Sequence, residues 1–362
     1  MGSVTLSNFE SAMLDFDLST VNLVSDYNII IHRVYDPDNN FLDEYAWFDD
    51  PKLDHRTLIL LWHPVEMGAW QQSWIDKFNF YAKTKPYKIV YITGCTSRLD
   101  LDKFFKIEFD FTFMPCFDIR AANQWFCQPL DISVNKSKKF MCLNAKDVSH
   151  RRYILYQLYI NNLLNQGTVS YTCTNGIQSP YTQYTDVHQG AWFTKEQVED
   201  ISEVQKKSID LLPILLDNKN FANALPRYLF ADSYINIVGE TDFVNNPYSY
   251  RKSFVTEKTF NAIANNQLFI IVGHSHSLEL LRDLGYKTFN SIIDETYDTV
   301  KHNGDRLEAV TKEIIRFLDR PIEQIKEDYI RAIPVIEHNR NLMYSQSHDL
   351  DKRLQSIVDR YA

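Results

Sequence analysis

Cysteine is scarce in this 362-residue chain: Cys95, Cys116, Cys127, Cys142 and Cys173 are the five, and no two make a C-x-x-C spacing. That excludes the usual pattern of a zinc site and suits reduced thiols better than a disulfide framework. No apolar run reaches the length of a membrane span, and the first residues lack the apolar core of a signal peptide. The opening MGSVTL has Leu6 where an N-myristoylation start needs Ser or Thr. There is no G-x-x-x-x-G-K-[ST] loop, so ATP hydrolysis of that type is not indicated. Internal repeats and low-complexity stretches are also missing. These absences lead to the expectation of a soluble, cytoplasmic protein without a membrane span.

Acidic residues outnumber basic ones, giving a formal net charge of −9. A chain of that sign is not coated in nucleic acid, although a local basic groove remains open. Hydrophobic residues make up 44% of the chain and aromatics 14%, enough for a sizeable core. The length exceeds the roughly 100–200 residues of one domain, so two domains are expected.

Short apolar runs alternate with amphipathic segments. "YNIIIHRVY" (27–35), "TLILLW" (57–62) and "YKIVYITG" (87–94) read as buried strands, and Gly68 to Lys85 as a helix rich in Trp and Phe. After a Lys-rich bridge, "ISVNKSKK" (132–139), the alternation restarts: strand "KFMCLN" (139–144), a helix from near Val148, and strand "TVSYTC" (168–173). Thr174 to Thr194 reads as loop, followed by a helix to about Leu216. Strands "SYINIVGE" (233–240) and "QLFIIVG" (267–273) come next, then a helix from His276 to Leu284. Helical spacing also relates Leu307, Val310, Ile314, Phe317 and Leu318, and again Leu350, Leu354, Ile357 and Tyr361. Alternating strands and helices predict an α/β protein of two doubly wound, Rossmann-like domains facing a cleft, with a helical C-terminal tail. The boundaries expected are 1–135, 139–335 and 336–362. Ligands of such sheets bind beyond the carboxyl ends of the strands.

Two stretches at such ends carry chemistry. In "SFVTEKTFNAIANNQLFIIVG" (253–273), Thr256 can cap a helix whose first turn holds Glu257 and Lys258. The exposed N–H groups and dipole of a helix start favour an anion such as a diphosphate, and Lys258 adds a point charge. Glu257 would repel phosphate, but an acidic side chain beside a nucleotide accepts hydrogen bonds from ribose hydroxyls. Adjacent side chains on a helix point about 100° apart, so the two can reach sugar and phosphate separately. The plainer alternative is that Glu257 complements the dipole and Lys258 is solvated. In "NAKDVSHRRYILYQL" (144–158), Arg151 and Arg152 open a helix, with Lys146 just before them. Cations there are unfavourable without an anion, unless they form a solvated basic face.

Together these stretches resemble the α1,3-fucosyltransferase family. There, a strand ending in an acidic polar turn precedes a Y/F-V-T-E-K helix start, and an S-N-x…R segment opens an upstream helix. Here "YINIVGETDF" (234–243), "SFVTEK" and Arg151 stand in those places, Arg152 being the alternate. The likeness covers roughly Lys139 to Thr299, and "GET" replaces the family's E-N-S-type turn at Glu240. There is also a general likeness to sugar-transferring proteins of large phages and algal viruses, which would place the chain in a host cytoplasm. The resemblance implies a glycosyltransferase of the two-Rossmann-domain (GT-B) type, inverting and metal-independent. Its donor would be a GDP-sugar or UDP-sugar held by Arg151, Glu240, Thr256, Glu257 and Lys258.

An inverting transfer needs a base for the acceptor hydroxyl. Glu66, in "LILLWHPVEMGAW" (58–70) beside His63, is the candidate, with Asp49, Asp50 and Asp76 as rivals. Trp62, Trp70 and Trp74 are sugar-platform residue types, although an i, i+4 pair of Trp is usually core. The acceptor is a glycan or small molecule, which the net charge favours. A hydroxymethylated DNA base is the other choice, for which "NKSKK" (135–139) and "HRR" (150–152) would supply basic charge. The D-x-D pairs Asp15/Asp17, Asp36/Asp38, Asp100/Asp102 and Asp349/Asp351 end no strong strand, and "GHSHS" (273–277) lacks further metal ligands. His274 or Ser275 would instead face phosphate. A binding module without turnover, for a sugar nucleotide or a glycan, is the alternative function.

Overall fold

The computed structural model describes residues 4–7, 23–33, 46–63, 72–93, 106–113, 132–144, 148–171, 185–186, 190–191, 227–244, 255–347 and 350–362. The chain divides into two compact units: Met1–Asn123, Tyr248–Lys252 and Ser345–Ala362 form the first, and Gln124–Pro247 and Ser253–Tyr344 the second.

The first unit is built on a five-stranded parallel sheet in the order β1-β2-β3-β4-β5: Val4–Ser7, Asn28–Arg33, Thr57–His63, Lys88–Thr93 and Asp110–Phe113. Helix α1, Gln72–Thr84, connects β3 to β4. Side chains alternate across the pleat. Ile59, Leu61, Ile89 and Tyr91 share one face with Ile75, Phe78 and Tyr81 of α1, and with Phe48 and Phe109. A sequential strand order carries every right-handed crossover to the same face. Among the described strands this sheet therefore lacks the reversal of a doubly wound order.

The second unit's sheet has the order β11-β10-β6-β7, again all parallel. Its elements are β6, Lys138–Asn144; α2, Ser149–Ile160; β7, Gly167–Tyr171; a small antiparallel pair, β8, Thr185–Asp186, and β9, Gly190–Ala191; α3, Arg227–Ala231; and β10, Ser233–Gly239. Then follow α4, Glu257–Ala264; β11, Leu268–Val272; α5, Ser277–Asp283; α6, Asn303–Leu318; and α7, Ile322–Ser347. Every residue of β10 and β11 is buried, as in a parallel sheet covered on both faces. From β6 the chain moves out to β7 and then returns to the opposite side of β6 for β10. This sheet is doubly wound, and its switch point lies between β6 and β10.

Helix α8, Leu350–Tyr361, returns to the first sheet. Leu354, Ile357 and Val358 pack on Ile29, Ile31, Leu58, Leu60, Val90 and Ile92, on the face opposite to α1. Gln355 fastens it, Nε2 donating to the Val24 carbonyl and Oε1 accepting from the Val24 amide, and Lys88 Nζ donates to the carbonyls of Tyr361 and Ala362.

The α/β class and the parallel strands agree with the periodicity of the sequence, and the strands expected there lie within two residues of those found. Strands β1 and β5 had no sequence signal, being four residues each. The β8–β9 pair lies inside the stretch expected to be loop. Helix α7 also escaped the periodicity. Its buried positions Ile325, Tyr329, Ala332, Ile336, Asn339 and Met343 do recur at helical spacing, but Asn339 breaks the apolar stripe and Pro334 sits inside the helix. The helix expected to end near Leu216 lies outside the described residues. Among the described residues, no helix is long and apolar enough to cross a membrane.

Candidate functional site

Asn144 ends β6, Gly239 ends β10, and the first turn of α2 carries His150, Arg151 and Arg152. These meet at the switch point, the place where doubly wound sheets bind ligands. Gly239 has to lack a side chain: a Cβ there would stand 2.7 Å from Asn144 Oδ1 and 3.1 Å from Arg151 Cγ.

Neither arginine forms a solvated basic face, since Arg151 is 4% exposed and Arg152 is wholly buried. Arg151 Nη2 donates to the carbonyls of Gly239 (2.9 Å) and Glu240 (3.0 Å). The carbonyls at the end of β10 thus supply the negative potential that the start of α2 lacks. Arg152 has no surface to offer a ligand and is a packing residue, which corrects the expectation that it could stand in for Arg151.

Thr256 takes the expected N-cap position of α4, with extended backbone and its hydroxyl accepting from the Lys258 amide (3.4 Å). The anion at this helix start, however, is internal. The buried Glu240 carboxylate accepts from the Thr256 amide (3.1 Å), the Thr256 hydroxyl (2.5 Å) and the Thr259 hydroxyl (2.7 Å). The resemblance put Glu240 among the residues that hold the donor. Instead it positions α4, because its oxygens already hold three donors and no part of it is exposed. Thr256, equally buried, caps the helix and ties it to β10.

Lys258 and Glu257 face outward, their side chains 30% and 20% exposed. Lys258 Nζ donates to Thr241 Oγ1 (3.1 Å), Thr256 Oγ1 (3.2 Å) and Glu257 Oε1 (2.9 Å). The two side chains therefore meet instead of diverging as their helical positions alone suggest. Arg151 and Lys258 both anchor on one short turn, Gly239–Thr241, from elements about a hundred residues apart in sequence.

A second layer fixes that turn. His150 Nε2 donates to the Glu240 carbonyl (2.9 Å), and its ring stacks on Phe243 at 5.2 Å. The Arg306 guanidinium covers Phe243 at 4.4 Å, donates to the Phe243 carbonyl and reaches the Gly273 carbonyl through Nε (3.1 Å). Burial, and then the neighbouring Arg151 charge, push His150 down to about 3, so it is neutral. The sequence reading missed His150, Phe243 and Arg306. "SHRR" placed the histidine beside the expected arginines, but nothing local tied Arg306 to a turn sixty residues earlier.

At the end of β11, His274 and Ser275 are both buried. His276 adopts a left-handed backbone, φ 65°, and its amide donates to the Asp298 carbonyl (2.7 Å). The Asp298 carboxylate then accepts the amides of Leu278 and Glu279 at the start of α5. "GHSHS" is thus a structural turn. Among the described residues no group of three or more His, Cys, Asp or Glu is placed to hold a metal ion. Burial pushes the Cys142 thiol up to about 12, which keeps it protonated.

Glu66 and Lys146 lie outside the described residues, as do the side chains of His63, Trp62, Trp70 and Trp74. Of the rival acids, Asp49 holds Lys85 (2.6 Å), and that hydrogen bond lowers its pKa. No protein-family model, curated protein or solved structure matches this chain.

Proposed function

We propose that this protein is a glycosyltransferase that binds the diphosphate of a nucleotide sugar at the β6–β10 switch point and transfers the sugar to an acceptor hydroxyl, without a metal. One observation carries the reading: Arg151 and Lys258, from distant helices, both hold the Gly239–Thr241 turn at the carboxyl end of β10. The likeness of "FVTEK" and of the Arg151 segment to the α1,3-fucosyltransferases supports it.

In this reading the two cations stabilise the negative charge that grows on the leaving nucleoside diphosphate, as preorganised electrostatic catalysis requires. Glu257 takes the ribose hydroxyls, and Glu66 is the proposed base for the acceptor, a glycan or a hydroxymethylated DNA base. The donor is a GDP-sugar or UDP-sugar.

Thermal-shift measurements with GDP, UDP, ADP and their sugars test donor binding. At a hundred times its dissociation constant the right ligand adds about 2.7 kcal/mol of stability. In a nucleotide-release assay, Arg151→Ala and Lys258→Ala should each lower turnover about a hundredfold. Wild-type rates in both variants would refute the reading. Binding of the nucleotide with no release from any sugar donor would leave a sugar-nucleotide-binding module.

A further inference from the structure

Asn144 ends β6 beside Gly239, the end of β10, and is 3% exposed. Its Nδ2 donates to Cys142 Sγ at 3.3 Å, which turns Oδ1 away, towards Gly239. Oδ1 has no hydrogen-bond partner among the described residues. A buried amide oxygen left unpaired is costly, and native folds nearly always satisfy one. This one stands open at the switch point, where doubly wound sheets take their ligands. The two helix starts at that crevice also differ. Thr256 and the Glu240 carboxylate close the start of α4, whereas α2 has Val148 at its N-cap and no side-chain cap. Being only an acceptor, Oδ1 calls for a hydroxyl or an amine on the ligand and not for a phosphate oxygen.

Resting on the nucleotide-sugar reading above, we propose that Asn144 is a specificity-determining residue whose Oδ1 accepts a hydrogen bond from a hydroxyl of the bound nucleotide sugar. Arg151 lies against the same place: its Cγ and Nε stand 3.1 and 3.2 Å from the point that a Cβ on Gly239 would fill, and Asn144 Oδ1 2.7 Å from it. When the guanidinium turns from the carbonyls of Gly239 and Glu240 to a diphosphate, it uncovers the oxygen beneath. The hydroxyl then gains its bond at an atom already stripped of water. A ligand without that hydroxyl leaves the oxygen unpaired, and sites built around one hydroxyl discriminate strongly against analogues that lack it. The hydroxyl belongs to the transferred sugar or to the ribose, and one experiment separates the two.

Calorimetric titration compares the wild type with Asn144→Ala, and with Asn144→Val, an apolar residue suited to a strand, should alanine unfold the protein on thermal melting. The ligands are GDP and UDP, GDP-fucose and UDP-glucose, and the 2′-deoxy and 3′-deoxy forms of both nucleotides. The variant should bind the ligand that carries the hydroxyl about tenfold more weakly than the wild type does. It should bind the form without the hydroxyl as the wild type does, because the coupling vanishes when either partner is missing. A loss confined to the sugar conjugates names the transferred sugar. A loss shared by GDP or UDP and absent from one deoxy form names that ribose position. Equal weakening of every ligand would make Asn144 a support of the crevice alone, and unchanged binding of every ligand would mean that nothing reaches its oxygen. Either result overturns the proposal and leaves the nucleotide site standing. Failure of the wild type to bind any of these ligands would remove both.

Discussion

The Glu240 carboxylate holds two threonine hydroxyls and the amide that begins α4, while its own carbonyl receives Arg151 and His150. One buried residue thereby joins three elements, and the neutral state of His150 is part of that joint. His150 has a pKa lowered from its ordinary 6.5 to about 3, so below pH 6.5 the unfolded chain takes up a proton that the folded chain refuses. Its contribution to stability is complete above pH 6.5 and is lost as the pH falls towards 3, by at most about 1.4 kcal/mol per unit. Denaturant unfolding at pH 6.5 and 5 should show this loss. His150→Gln, whose amide can still donate to the Glu240 carbonyl, should flatten the slope in that window, before most carboxylates titrate. At this scale the sequence showed which residues were chemically unusual, namely Arg151, Glu257 and Lys258. It did not show that Glu240 and Thr256 face inward while Glu257 faces out. Both Glu240 and Glu257 are acids near a helix start, and only burial tells the one that positions α4 from the one that faces out.

Among the elements, α8 has the most to cover. Its apolar residues recur at helical spacing, so the helix itself was legible in Leu350, Leu354, Ile357 and Tyr361. Its destination was not, because an amphipathic stripe states that a partner exists without saying which one. The structure supplies the answer: α1 packs on one face of the first sheet and α8 on the other. Leu354 is fully buried there. Leu354→Ala should cost about 2–5 kcal/mol, measured by denaturant unfolding, with hydrogen exchange rising in β3 and β4. A chain cut after α7 would take Leu354, Ile357 and Val358 off the apolar face of Ile29, Ile31, Leu58, Leu60, Val90 and Ile92.

At the scale of the whole molecule, the two units have different strand orders, and among the described strands only the second unit has a switch point. Nucleotide binding should follow that difference. In hydrogen exchange, a nucleotide bound as proposed should protect the amides of 239–241 and 255–259, while β2, β3 and β4 of the first unit exchange as before. Equal protection of the first sheet would place the nucleotide elsewhere. The net charge of −9 bears on the acceptor at the same scale. A DNA acceptor would bind with a steep dependence on salt through its phosphates, and a neutral glycan would not.

The sequence by itself determined the α/β class, the longer strands of both sheets and the cap of α4. These depend on alternation, on helical spacing and on one threonine before an acidic turn, all of which act within a dozen residues. Only the tertiary structure decided that Glu240 supplies the anion at that cap, that Arg152 packs, that Arg306 braces a turn sixty residues away, and that the last helix covers the first sheet. Burial and strand order settle such matters, and both arise from segments brought together by folding.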